Sequence, residues 1–161
     1  GILAGSAIYI VVTLIFSSRL YNGGGLHLIE RCFEGESVPY YAFLLKILFT
    51  AVALGAGFKG GEIVPALCVG ATFGYTMAAL LGMPSGLCAA VGMVCLFVSV
   101  TNCPVSTMFM AFELFGFEAM PYFSLGVAIS FTLSGYYGLY HSQKFVYSKI
   151  RTEYIDRKSN E

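Results

Sequence analysis

The sequence predicts an all-α membrane protein that crosses the bilayer several times. Hydrophobic residues make up 57% of the 161 residues and charged residues 11%, and the mean hydropathy is +0.76. No charged residue or histidine occurs from Ile63 to Phe112 or from Ala119 to Tyr140. Because a membrane-spanning helix needs about 20 apolar residues, the first stretch has room for two spans and the second for one. An amphipathic soluble fold would need polar faces that these stretches do not supply.

Breaks in the apolar sequence divide its first half into separate helices. We expect a first span over Ile2–Ser18 and a short helix over Leu26–Cys32. A second long helix runs from Pro39 to about Leu54, since proline suits the first turn of a helix. A third runs from Ile63 to about Leu81 and ends at a Gly/Pro turn.

The second half predicts shorter helices that meet at glycine, proline and asparagine breaks. Several are too short to cross a bilayer, which is typical of channels and transporters with discontinuous helices. Small residues at four-residue spacing, such as Gly70 and Gly74, would allow close helix packing. The predicted helices are Leu87–Val100, Pro104–Phe115, Pro121–Leu133 and a final one over Tyr140–Lys149.

Charge and cysteine patterns exclude several classes of function. The basic residues after the last span place the C-terminus in the cytoplasm by the positive-inside tendency. This basic segment is short and half neutralised by acidic residues, so nucleic-acid binding is not expected. The cysteines show no metal-ligand spacing, which predicts packing roles and neither a metal site nor a cofactor. No triad or phosphate-binding loop is visible, which argues against an enzyme.

The glycine-rich break before the third helix is the candidate binding site. Gly60 and Gly61 should adopt backbone angles that other residues avoid, and Pro65 fits a first helical turn. The N–H groups of Glu62 and Ile63 should then point outward, unpaired, at the positive end of a helix. This arrangement favours a small anion. The alternative is a simple kink between two helices.

The residues around this break resemble the CLC family of chloride channels and proton-coupled anion antiporters. The sequence reads LKILFT at 45–50, GFKGGEIVP at 57–65 and GATFG at 70–74, and the family's usual motif is GxFxP. The resemblance extends from Gly1 to about Arg151 and implies the second of two inverted repeats, a bundle of tilted and broken helices. Residues 1–150 would form the C-terminal half of the transmembrane domain and 151–161 a short cytoplasmic tail. The N-terminal half would carry the family's other site motifs.

The resemblance also implies which groups hold the anion. The backbone amides of Glu62 and Ile63 would coordinate it, and a tyrosine hydroxyl near the start of the last helix would donate to it. Tyr140 has the matching setting, and a phenol donates a hydrogen bond without a charge that would trap the ion. The residues alone do not separate Tyr140 from three other tyrosines that suit a membrane interface, Tyr136, Tyr137 and Tyr147.

Glu62 places a carboxylate beside the expected anion. An acid at membrane depth favours a proton or gating role, and the alternative is that its side chain pairs with Lys59. The fluoride-exporting branch of the family typically has threonine two residues later, where this chain has Val64. Chloride is therefore the expected ligand, and fluoride/proton antiport is the alternative.

The resemblance implies chloride transport by a channel or a proton-coupled antiporter in a bacterial inner membrane. The sequence leaves channel and antiporter open. The family's subunits pair as homodimers, with an expected interface around Val105 to Leu133. From another class, the chain would be a non-transporting membrane scaffold, or a membrane enzyme that uses Glu62 and Lys59 as an acid–base pair.

Overall fold

The structure is a computed structural model that describes residues 6, 7, 9–11, 13, 14, 21, 23–58, 60–140 and 142–159. The predicted span Ile2–Ser18 therefore lies largely outside the described residues, and Lys59 lies outside them too. The chain forms two compact units, Gly1–Met93 and Val94–Glu161.

The described chain is mostly helical, in agreement with the predicted class. The described residues 6, 7, 9–11, 13 and 14 are helical and precede the elements named below. The helices are α1 (Leu26–Glu34), α2 (Ala42–Gly55), α3 (Ile63–Leu81), α4 (Ser85–Thr101), α5 (Pro104–Phe115) and α6 (Met120–Leu133), followed by the strands β1 (Lys144–Tyr147) and β2 (Tyr154–Lys158).

The lengths of these helices match a pattern of broken spans. Helix α3 has 19 residues with a mean hydropathy of 1.7, and within the described ranges it alone is long and apolar enough to cross a membrane by itself. Helices α2, α4, α5 and α6 are apolar but shorter, at 10–17 residues.

Helix α3 is the centre of the first unit and packs against α1 and α2. Phe49 of α2 and Cys68 and Ala71 of α3 are buried in this core. The rings of Phe43 and Phe73 meet edge to face, 5.4 Å apart. An apolar helix surface thus becomes a shared core rather than a solvent face.

Glycines bring the backbones of α3 and α4 into direct contact. A Cβ atom at Gly74 would lie 2.1 Å from the Cys88 carbonyl oxygen, and one at Gly92 would lie 2.4 Å from the Gly70 oxygen. The close packing predicted from Gly70 and Gly74 is therefore confirmed, and residues 88 and 92 repeat the same four-residue spacing on α4.

The second unit is built on the pair α5 and α6. Phe123 of α6 is buried, and its ring lies 5.5 Å from that of Phe115 at the end of α5. The break between α4 and α5 occurs at Asn102, which has a left-handed φ of 55°. Asparagine tolerates this conformation better than most residues.

The predicted final helix over Tyr140–Lys149 is wrong, because the chain forms an antiparallel hairpin there. Lys144 pairs with Lys158 and Tyr147 with Tyr154, with an irregularity between Phe145 and Tyr147. Phe145 is the one buried residue of β1, and its neighbours Lys144 and Val146 are exposed. The aromatic and β-branched residues of both segments favour strands over helix.

Lys149, directly after β1, attaches the hairpin to the ends of two helices. Its Nζ donates to Asn102 Oδ1, to the Phe131 carbonyl at 3.1 Å and to Ser134 Oγ at 2.9 Å. It also lies 4.3 Å from the centre of the Phe131 ring. Burial lowers the pKa of Lys149. Since all three ammonium hydrogens have an acceptor, the half-buried charge is well compensated.

Gly74→Ala should separate α3 from α4. The new methyl group has no room against the Cys88 carbonyl, and overpacking of this kind costs about 1–3 kcal/mol. We expect a lower melting temperature for the detergent-solubilised protein. Gly55→Ala is the matched control, because a Cβ there meets nothing within 4 Å. Equal melting temperatures for the two variants would contradict the close crossing.

Candidate functional site

Helix α3 begins at Ile63, as the sequence predicts, and its start is uncapped. Glu62 at the N-cap position has helical angles, and no side chain there accepts from the helix. The first bond of this turn runs from the Ala66 N–H to the Glu62 carbonyl at 3.2 Å. The N–H groups of Ile63 and Val64 therefore have no acceptor within the helix, and both residues are exposed.

The chain turns between α2 and α3 at Gly57 rather than at the glycines expected to bend. Gly57 has a φ of 85°, whereas Gly61 is not among the described glycines with positive φ. The Gly57 N–H donates to the Leu54 carbonyl at 2.9 Å, which completes the end of α2. A Cβ atom at Gly60 or Gly61 would meet nothing within 4 Å. The backbone ahead of α3 is thus open to an approaching group.

A cavity of about 480 Å³ lies beside this break in the first unit. Its wall includes the first turn of α3 at Val64 and Pro65, but not Glu62 or Ile63, the residues expected to bind the anion. The residues that line it are Tyr9, Tyr21, Gly23, Gly24, Leu26, Lys46, Phe49, Thr50, Ala53, Leu54, Phe58, Gly60, Gly61, Val64 and Pro65.

Lys46 is the one charged residue among the described residues that line the cavity. Only 1% of its surface is exposed, and its Nζ donates to the Tyr21 carbonyl at 3.1 Å and to the Gly23 carbonyl. Our sequence reasoning missed this residue. The sequence does single it out, since Lys46 is the only charged residue between Ser37 and Phe58. Charged residues within apolar helices often have a functional role.

The tyrosine candidates lie in the second unit and differ in their surroundings. The Tyr136 hydroxyl donates to Ser148 Oγ at 3.1 Å and accepts from the Lys149 backbone N–H at 3.2 Å, so it belongs to the hairpin. Tyr140 is 46% exposed and follows a segment held by the Leu139 N–H bond to the Val100 carbonyl. Tyr137 and Tyr147 are more exposed still.

Glu62, the candidate proton or gating group, is exposed. In the described part of the chain no group of three or more metal-ligating side chains comes together. The described residues of the first unit therefore offer uncapped amides, open glycine backbone and the buried ammonium of Lys46.

Comparison with known proteins places this chain in a family of anion transporters. A family model described as voltage gated chloride channel matches residues 1–135. The "Chloride/fluoride channel protein" of Pseudomonas syringae pv. tomato is 41% identical over 129 residues, which is 80% of this chain and 28% of that protein. The "H(+)/Cl(-) exchange transporter ClcA" of Vibrio vulnificus is 30% identical over 103 residues, 58% of this chain and 22% of that protein.

A solved structure shows the same arrangement of helices. The crystal structure of a CLC-type fluoride/proton antiporter matches with a TM-score of 0.79 and 30% identity, over 83% of this chain and 34% of that one. The chain thus spans only a minor part of the length of these relatives. The family match, the shared fold and the apolar broken helices together show that this chain is a membrane-embedded, all-α member of the voltage-gated chloride channel (CLC) family.

Proposed function

We propose that this chain forms the second half of a transmembrane pathway for a small halide. The observation that carries the proposal is the uncapped start of α3, where the Ile63 and Val64 amides lack helical acceptors beside open glycine backbone. Such dipoles replace part of the hydration shell of an anion. They carry no full charge, so the ion is held weakly enough to leave again.

The amides of Glu62 and Ile63 and the hydroxyl of Tyr140 are the proposed ligands. The exposure of the α3 start supports the first two. For the tyrosine, the hydrogen bonds of Tyr136 within the hairpin leave Tyr140 as the better candidate of the two. The Glu62 side chain would take part in proton transfer or gating, because it belongs to one of the two residues whose backbone amides are the proposed ligands.

Chloride is the proposed substrate, and fluoride is the second candidate. The family match and the chloride exchangers support chloride. Two observations favour fluoride: the relative at 41% identity is named for both ions, and the matched solved structure is a fluoride/proton antiporter. The halide is a ligand of the transporter, and no cofactor is proposed.

The complete protein would sit in a bacterial inner membrane as a homodimer with its C-terminus in the cytoplasm. Helices α5 and α6 expose large apolar side chains that suit a subunit interface, including Phe109 at 69%, Leu125 at 63% and Leu133 at 78%. The mass of the protein in its detergent complex would decide the subunit number, and a monomer would contradict the pairing.

Halide efflux tests the function directly. The full-length protein in liposomes should release chloride when a potassium ionophore clamps the voltage, measured with a chloride electrode and compared with empty liposomes. A fluoride electrode in a parallel experiment decides the second candidate, and proton uptake distinguishes an antiporter from a channel. If neither halide leaves the liposomes, the chain belongs to a scaffold or an enzyme instead.

Tyr140→Phe should weaken halide binding about tenfold, because a hydrogen bond to a charged group contributes about 1.5 kcal/mol or more. Isothermal calorimetry on the purified full-length protein measures the dissociation constant. Tyr137→Phe is the control, since this neighbouring tyrosine is 67% exposed. Equal dissociation constants for both variants would remove Tyr140 from the site.

Glu62→Gln should abolish the pH dependence of halide flux, since the amide cannot take up a proton. Flux measured from pH 4 to 8 gives the profile for each variant, and Glu34→Gln, at another exposed acid, is the control. A pH profile identical to that of the unmodified protein would limit Glu62 to its backbone contribution.

A further inference from the structure

Asn102 lies in the break between α4 and α5, and its side chain bonds three other parts of the second unit. Only 5% of its surface is exposed. Its Nδ2 donates to the Tyr137 carbonyl at 2.9 Å, and its Oδ1 accepts from Ser134 Oγ at 3.3 Å and from Lys149 Nζ. One buried amide therefore joins the end of α6, residues 137–139 (the linker segment) and the hairpin to the end of α4.

The linker segment lies directly against the last turn of α4. The Val100 carbonyl belongs to this turn, and in a continuing helix it would accept from residue 104, which is a proline without an N–H. The Leu139 N–H donates to this carbonyl instead, at 2.8 Å. The two backbones approach closely, because a Cβ atom at Gly138 would lie 2.9 Å from Asn102 Nδ2 and 3.2 Å from the Val100 oxygen. The linker segment thus supplies a donor that the break between α4 and α5 removes.

The residue type at position 102 suits both the backbone and the side-chain bonds. Asn102 has a left-handed φ of 55°, which asparagine adopts more readily than most residues. Its side-chain amide also offers an N–H donor and an oxygen acceptor at once. Glycine would keep the backbone conformation without the donor, and aspartate would keep the acceptor without the donor. The linker segment is therefore held by this side-chain N–H together with the main-chain bond of Leu139.

Tyr140, the proposed halide ligand, directly follows the linker segment. The Leu139 bond holds the chain before it, and the Tyr140 carbonyl accepts from the Gln143 N–H at 3.1 Å after it. The Tyr140 side chain is 46% exposed, and its hydroxyl takes part in no hydrogen bond with the described residues. The placement of this hydroxyl therefore depends on the backbone that carries it, which the linker segment fastens to α4.

We infer that Asn102 is a positioning residue for the halide site: it holds the linker segment against α4 and thereby sets the place from which the Tyr140 hydroxyl donates. This role rests on the proposed function, in which Tyr140 is a ligand of the halide. Asn102 acts through this tyrosine and is not itself a ligand. A donor that is fixed before the ion arrives binds it more tightly, because its freedom is already lost in the free protein.

A double-mutant cycle separates positioning from general stability. Asn102→Gly keeps the left-handed backbone but removes the amide, and Tyr140→Phe removes the hydroxyl. Calorimetry of the full-length protein with sodium chloride and with sodium fluoride should show halide affinity reduced about fivefold by Asn102→Gly. When Tyr140→Phe is already present, Asn102→Gly should cause no further loss, since no hydroxyl is left to position. Ser99→Ala is the control and should leave affinity unchanged, because the Ser99 hydroxyl bonds the Cys95 carbonyl of the same helix.

A second variant keeps Asn102 in place, in case its replacement prevents folding. Gly138→Ala puts a methyl group between the linker segment and α4, where a Cβ atom would lie only 2.9 Å from Asn102 Nδ2. Affinity should again fall about fivefold, and the loss should disappear when Tyr140→Phe is present. Gly55→Ala is the control, since a Cβ atom there meets nothing within 4 Å.

Hydrogen exchange of the Leu139 amide reports on the linker segment directly. Mass spectrometry of the full-length protein in detergent should show faster exchange in Asn102→Gly and in Gly138→Ala, because both loosen the bond to the Val100 carbonyl. Exchange should stay unchanged in Tyr140→Phe, which alters the ligand and leaves the linker segment in place.

Three results would overturn the inference. If Asn102→Gly and Gly138→Ala leave halide affinity unchanged, or reduce it by the same factor with and without Tyr140→Phe, Asn102 stabilises the fold and does not position the ligand. If Tyr140→Phe alone leaves affinity unchanged, the proposed ligand has failed and the role of Asn102 fails with it. If the unmodified protein transports no halide, the proposed function itself has failed. The flux and the single tyrosine variant therefore show which of these has occurred.

Discussion

The cost of unpaired backbone groups in an apolar environment determines how this chain is built. Within a bilayer, a helix end must find partners for its N–H and C=O groups, since water is absent. The end of α2 meets this need internally, through the bonds of Gly57 and Phe58 to the carbonyls of Leu54 and Ala53. The start of α3 does not, because the Ile63 and Val64 N–H groups have no acceptor within the helix. The break between α2 and α3 thus joins a helix end whose backbone groups are hydrogen-bonded to a helix start whose N–H groups are not.

The same constraint shapes the surroundings of two lysines, the buried Lys46 and the half-buried Lys149. Lys149 directs all three donors to protein acceptors and lies against an aromatic ring, which fixes the hairpin to the ends of α4 and α6. Lys46 has two neutral acceptors and a cavity. The acceptors found in the described part of the chain are thus three for Lys149 and two for Lys46.

Sequence reasoning predicted the helices well and the chain after them poorly. Helices α3 and α5 begin where proline and glycine indicate, because these residues act through local backbone geometry. The hairpin was missed because the segment Tyr140–Lys149 was expected to carry a last helix out of the bilayer, although its aromatic and β-branched residues favour strands. Gly57 was overlooked as the turning residue because three glycines lie close together and only the structure shows which φ is positive.

Only the part of the candidate site that depends on local backbone geometry could be predicted from the sequence. The α3 start can be read from Gly60 to Pro65, since uncapped amides follow from helix geometry alone. The cavity could not be predicted from the sequence. It depends on contacts between Lys46 and the Tyr21–Gly25 loop, which lies 21 to 25 residues earlier in the chain.

The surroundings of Lys46 show how the first unit meets the cost of a buried ammonium. Removing such a group from water costs several kcal/mol unless partners compensate it. The Tyr21 and Gly23 carbonyls accept from its Nζ, so a loop far away in sequence supplies the acceptors that α2 itself cannot. Gly25 allows this loop to approach, because a Cβ atom there would lie 3.2 Å from Lys46 Nζ and 2.7 Å from Cys68 Sγ. The glycine after Gly24 is therefore required by the lysine as much as by the turn, since its φ of 86° also favours glycine.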